Sequence, residues 1–316
     1  MHSRGSFPEV KLRPWQFVLF LLLAAAAAVV AVFEFSRSSP ETPGELVAIL
    51  PHQDSMVFFI NAGLLRDAGV LGEFAGPQAG EEQDYQNFIA QSHFDYQRDL
   101  DRVAGTFNRG EVFLVIEGRF DWVRLREYAK KHGGGCDNIC WLPASTPGRW
   151  ISFLPISPRI MGLAVSANQR AVYSFGPVGT HRRPKAEEVP AGLVWLVVPK
   201  AVLRNPPELP PSAQGFVSAL GDAESLAISL AVSPGNGGTM ELHLDAVFDS
   251  SAKANQIRSQ LENATELVKR TTADRRVEGD SALLAALLAS GRFTATGGHV
   301  NGSWTARPEL LNAILR

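Results

Sequence analysis

Two blocks recur in the same order along this 316-residue chain, and that repetition constrains the fold more than any other feature. Residues 57–66 read VFFINAGLLR and residues 195–204 read WLVVPKAVLR. Both are an apolar run passing into a short segment that ends in Leu-Arg. Residues 112–129 (VFLVIEGRFDWVRLREYA) then match residues 240–257 (MELHLDAVFDSSAKANQI). Each reads as a strand, then Phe-Asp, then a helix. Asp121 and Asp249 stand where a carboxylate caps the first free amides of a helix. The repetition predicts a duplicated α+β unit, with a first repeat over 46–175, a polar linker over 176–190 and a second repeat over 191–316.

Within the first repeat the pattern predicts strands at 55–62 and 111–117 and a helix over 84–107. A capped helix follows over 121–131, and short strands near 150–154, 160–166 and 171–175. The second repeat reads as strands at 193–198, 226–233 and 239–247, with PGNGG as a hairpin signal between the last two. Helices are expected at 212–220, 250–269, 281–289 and 308–315, and a closing hairpin over 293–306. Strand-helix-strand units of this kind predict two similar α/β-sandwich halves, ferredoxin-like, with mostly antiparallel sheets.

Residues 15–33, WQFVLFLLLAAAAAVVAVF, carry no charge. At ~1.5 Å per residue such a helix spans roughly 28 Å, the hydrocarbon thickness of a bilayer. Arg4, Lys11 and Arg13 precede it and Glu34 follows. The reading is a tail over 1–14 in the cytoplasm, a retained transmembrane helix over 15–33 and a linker over 34–45. A cleaved signal peptide ending near Ala31 is the rival. The expected location is therefore a bacterial inner membrane, single-pass, with the bulk of the chain in the periplasm.

Only two cysteines occur, Cys136 and Cys140, in GGGCDNICW. In an oxidising compartment the pair reads as a disulfide. Free thiols or part of a metal or redox site are the other readings, and only His132 is near in sequence to supply a further ligand.

The motifs that carry a mechanism are missing from the sequence. There is no phosphate loop, zinc helix, nucleophile elbow or dinucleotide fingerprint. Ser250-Ser251-Ala252-Lys253 fits S-x-x-K formally, but its companion motifs are lacking and Ser at a helix start is expected for capping. His52, His93, His132, His181, His243 and His299 are scattered. His93 and Asp95, with Glu81 and Glu82 upstream, read as a solvated helix face. His243, between Leu242 and Leu244, points away from those leucines. A net charge of −2 offers nothing to nucleic acid, and Glu187 and Glu188 offset the basic cluster His181-Arg182-Arg183. No catalytic, cofactor-binding or metal residue is assigned and no cofactor is expected.

The plan of one apolar N-terminal segment, a strand running into Leu-Leu-Arg, a strand-Phe-Asp-helix element and a terminal hairpin resembles bacterial single-pass envelope proteins of uncharacterised function. It is also distantly similar to the bitopic assembly proteins of pilus and secretion machines, but those carry a coiled coil after the membrane helix and this chain has no such heptads. The expected function is a membrane-anchored periplasmic binding or scaffold protein that contacts a protein partner or its own copy. The alternatives are a binder of a small apolar or lipid ligand between the halves, and an enzyme with a dispersed site.

Overall fold

The computed structural model describes residues 42–51, 54–72, 83–108, 110–176, 189–203, 220–232, 240–274 and 280–306. The strands are β1 (Met56–Ile60), β2 (Leu100–Asn108), β3 (Glu111–Gly118), β4 (Gly135–Cys136), β5 (Cys140–Pro143), β6 (Trp150–Ser157), β7 (Ile160–Ser166), β8 (Val194–Pro199), β9 (Ser225–Val232), β10 (Met240–Val247), β11 (Arg292–Thr296) and β12 (His299–Ala306). The helices are α1 (Pro43–Ile49), α2 (Ala62–Asp67), α3 (Gln83–Ser92), α4 (Tyr96–Asp99), α5 (Trp122–Lys131), α6 (Lys200–Leu203), α7 (Ser251–Asp274) and α8 (Asp280–Ala289).

All 12 strands join one sheet in the order β11-β12-β10-β9-β8-β1-β2-β3-β7-β6-β5-β4. This corrects the expectation of two ferredoxin-like halves. The first strands of the two repeats, β1 and β8, pair antiparallel with each other, with Phe59 opposite Trp195 and Val57 opposite Val197. That pairing merges what would otherwise be two sheet edges. Reading outward from the junction, the order is β1-β2-β3-β7-β6 on one side and β8-β9-β10-β12-β11 on the other. β3 and β10 thus hold corresponding positions. Sequential strands lie side by side, so neither side has the interleaved order of a ferredoxin-like unit.

Alternation along the strands divides the residues between two faces. One face carries α5 on the first side, over Leu125, Ala129, Cys140, Leu142, Phe153 and Met161. On the second side the same face carries α7 and α8, over Leu226, Leu244, Ile257, Leu261, Leu287 and Phe293. Among the described residues, the opposite face is covered on the first side alone. There α1 lays Leu46, Val47, Ile49 and Leu50 on Phe59, Ala104, Val115 and Trp195. Thr42 caps α1 by accepting from the Glu45 amide at 3.3 Å, and Pro43 opens the helix where its missing N–H costs nothing.

Several local expectations are revised. The stretch 84–107 is not one helix. α3 ends at Ser92, His93 takes φ 58, Asp95 caps the single turn α4 and the chain continues as β2. The segment Ala171–Ser174 is a 3₁₀ turn rather than a strand. Ser250, not Asp249, stands at the start of α7, its Oγ accepting from the Lys253 amide at 3.3 Å. The β11–β12 hairpin turns through Gly297 and Gly298, and Gly297 holds φ 60, which a two-residue hairpin needs at its first central position.

The single-pass inner-membrane placement is also corrected. Among the described residues, no helix is long and apolar enough to cross a membrane. α7 has 24 residues but carries Lys253, Arg258, Glu262, Glu266 and Lys269. α8 is apolar but has 10 residues, roughly half a bilayer at ~1.5 Å each. The segment 15–33, residues 212–219 of the expected helix over 212–220, the helix over 308–315 and the PGNGG turn lie outside the described residues, as do His52 and His181.

Candidate functional site

Where α1 covers the first side, the second side has no counterpart among the described residues. Its open face is a trough of about 970 Å³ built from β8 to β12 and edged by Val189, Pro190 and Ala191. Strand alternation explains its chemistry. In β10, Met240, Leu244 and Ala246 are buried under the helices, so His243, Asp245 and Val247 face the other way. In β12, Val300 and Trp304 are buried, which puts His299, Asn301 and Ser303 in the trough. In β11, buried Phe293 leaves Arg292 and Thr294 there.

Antiparallel register sets these residues in rows. Ser229, His243, Ser303 and Arg292 form one row, and Ala227, Asp245, Asn301 and Thr294 the next. Ser225, Val247 and His299 follow. The floor under β9 is made of small side chains, while β10 to β12 bear larger polar ones. The His299 Nδ1 lies 3.0 Å from one Asp245 carboxylate oxygen and 3.3 Å from the other. This is the diagonal contact that cross-strand geometry permits. His243 Nε2 lies 3.4 Å from the Glu241 carboxylate.

The arrangement offers hydrogen-bond donors and acceptors in abundance. The Asp245–His299 pair orients an imidazole, as a triad does, but among the described residues no serine or cysteine is bonded to that ring. No group of three or more His, Cys, Asp or Glu side chains able to hold a metal gathers among the described residues.

No family model and no curated protein matches the chain. Among solved structures, crystal form I of TP0453 is similar at 12% identity, covering 87% of this chain and 98% of that one, with a TM-score of 0.44.

The other residues singled out in the sequence have structural roles. Besides the Ser250 cap, the Lys253 ammonium reaches Asp222 at 2.7 Å. Cys136 and Cys140 form a disulfide that closes the β4–β5 hairpin beside α5, where Cys140 is buried. His132 ends α5 and stacks on Tyr128 with ring centroids 4.0 Å apart.

His93 lines a shallower depression with Asp99, Arg119, Asp121 and Arg159. In this corner the acids are paired with cations: Arg98 and Arg119 on Asp99, Arg66 and Arg159 on Asp101, and Arg102 on Glu117. Burial alone would raise the Asp99 carboxyl. Hydrogen bonds from Arg98 and the Asp95 amide, with the charges of Arg98 and Arg119, outweigh it and hold the group below its ordinary value.

Sequence reading did not join Asp245, Asn301, Arg292 and Ser303 into a site. Their signal was present as the alternation in MELHLDAV, RFTAT and HVNGSWTA. What was missing was the pairing that lays the three polar stripes side by side.

Proposed function

We propose that this protein is a non-enzymatic binding module that docks a partner polypeptide on the open sheet face of its second side. The observation that carries the reading is the inequality of two corresponding surfaces. One is sealed by α1 with an apolar interface; the other is a trough of mixed lining, in which polar side chains of β10 to β12 stand beside Val189, Pro190, Val197 and Val247. Five strands at ~4.8 Å spacing make a face roughly 19 Å wide. That width suits a polypeptide segment better than a small metabolite. Arg292 is the one lysine or arginine among the trough residues, against Asp245, so a polyanion gains little there. No phenylalanine, tyrosine or tryptophan is among the trough residues, so the broad rings that make a stacking platform for bases are lacking there. Seryl, asparaginyl, histidyl and carboxylate groups remain, which match the mixed donors and acceptors of a polar protein surface.

The test is a photocrosslinking amino acid placed at exposed Asn301, in mid-trough, and separately at exposed Val123 on α5, in cells that make the full chain. A discrete protein adduct from position 301, absent from position 123 and lost when Asp245→Arg is added, is the expected result. No adduct from 301, or the same adducts from both positions, overturns the proposal.

A further inference from the structure

A second cavity lies on the other face of the same five strands and does not depend on the docking reading. It occupies about 180 Å³ between the sheet and the two helices α7 and α8. Its walls include Ile228, Leu242, Leu261, Leu287, Phe293 and Trp304, and no polar surface contributes to the lining. Protein interiors pack to crystal density and hold few voids larger than a water molecule. The pocket is partly open to solvent and its walls offer water no hydrogen-bond partner; a sealed apolar cavity of comparable size, ~150 Å³, stays dry and admits benzene or xenon.

The corresponding space on the first side is filled. There α5 is backed by α3, and rings close the gap: Phe88 meets Tyr128 edge-on with centroids 5.2 Å apart, and Phe94 stacks on Phe120 at 5.2 Å. On the second side, leucines of α7 and α8 stand over leucines of β9 and β10, and the space between stays open. Trp304 adds an independent feature. It is 7% exposed, and its indole Nε1 is buried with no hydrogen-bond partner among the described residues. That N–H packs against Gly291 and adds no polar surface to the lining, so the ring meets a ligand through its carbon atoms alone.

We infer that this cavity is a binding site for a small apolar molecule, an alkyl or aryl group of about benzene size. The ligand fills space that the leucines leave and is held by dispersion and by exclusion of water. Selectivity follows from the lining. A charged or multiply hydrogen-bonding compound loses its hydration on entry and finds no groups to replace it.

The experiment uses the full chain, ¹⁵N-labelled at tryptophan, with toluene delivered at fixed vapour pressure so that its activity is known. The six tryptophans give resolvable indole N–H signals, and Trp304→Phe identifies the one from the cavity. The expected result is a saturable shift of the Trp304 signal with the others unmoved, and a Tm higher by about 2–4 °C at saturation. Leu242→Phe fills the cavity and should remove both effects. Should that variant not fold, Ile228→Phe makes the same comparison. Absence of a saturable Trp304 shift, or a shift that survives the filling substitution, overturns the inference.

Discussion

Phe59 and Trp195 stack face to face across the strand pair that joins the two sides of the sheet, with ring centroids 5.6 Å apart and planes inclined by 21°. Phe59 is 1% exposed and Trp195 2%, and both lie under α1. Truncation of such a ring costs about 3–5 kcal/mol. Phe59→Ala should therefore lower the urea midpoint strongly while leaving a single transition, because β1 and β8 are neighbours in one sheet. Separate unfolding of residues 46–175 and 191–316, seen by hydrogen exchange, would show that the junction does not couple them. Trp195→Phe should be much milder than Trp195→Ala. It keeps a ring in the stack and removes an indole N–H that is buried without a partner among the described residues.

Asp99 makes stability depend on acid. Its folded pKa lies below the ordinary 3.8. The stabilisation is thus complete above that ordinary value and is lost as pH falls through the depressed one. Denaturation measured from pH 6 down to pH 2 should show this loss. Asp99→Asn should flatten the profile in that window and cost about 1–3 kcal/mol at neutral pH. An unchanged acid profile in the variant would remove Asp99 as its source.

The Cys136–Cys140 bridge closes a short loop, so its contribution is modest, about 2 kcal/mol on the chain-entropy model. Paired Cys→Ser substitution should lower Tm by several degrees without unfolding the protein, and reductant should not lower it further. Gly134, just before β4, is the more sensitive position. An added Cβ would sit 1.8 Å from the Trp141 carbonyl oxygen and 2.8 Å from that of Ala129, both backbone atoms. Gly134→Ala should destabilise by about 3 kcal/mol or more, read as a larger loss of Tm than removal of the disulfide.

Ser250 and Lys253 serve α7. Ser250→Ala should cost ~1 kcal/mol through loss of the cap. Lys253→Ala should cost at most about 1 kcal/mol, since its partner Asp222 is largely exposed. Neither should change the Asn301 crosslinking pattern. A loss of that pattern with normal folding would point to an active role for the pair.

Much local structure was legible in the chain. The alternation in residues 240–247 and 299–306 specifies which side chains share a face, because successive strand residues point to opposite sides. Asp121 caps α5, accepting from the amides of Val123 and Arg124 at 3.1 Å, as its place before an apolar-periodic run foretold. The hairpin at Gly297-Gly298 was legible for the same local reason. The stretch 84–107 was not. Its apolar spacing predicts one helix, which holds only to Ser92, and long-range pairing with β1 and β3 makes Leu100–Asn108 a strand instead.

The candidate site shows the same division. The sequence determined that His243 and Asp245 point away from the leucines of their strand. It did not determine that the β1–β8 pairing would join the strands of both predicted repeats into one sheet. Nor did it reveal that α1 would cover the first side, or that β12 would bring His299 to Asp245. Those outcomes depend on which strand edges meet, a choice settled by the summed burial of Phe59, Trp195, Val115 and the leucines of α1 across long stretches of chain. Side-chain direction is a property of neighbouring residues, whereas strand order is a property of the whole packed sheet, so only the tertiary structure decides it.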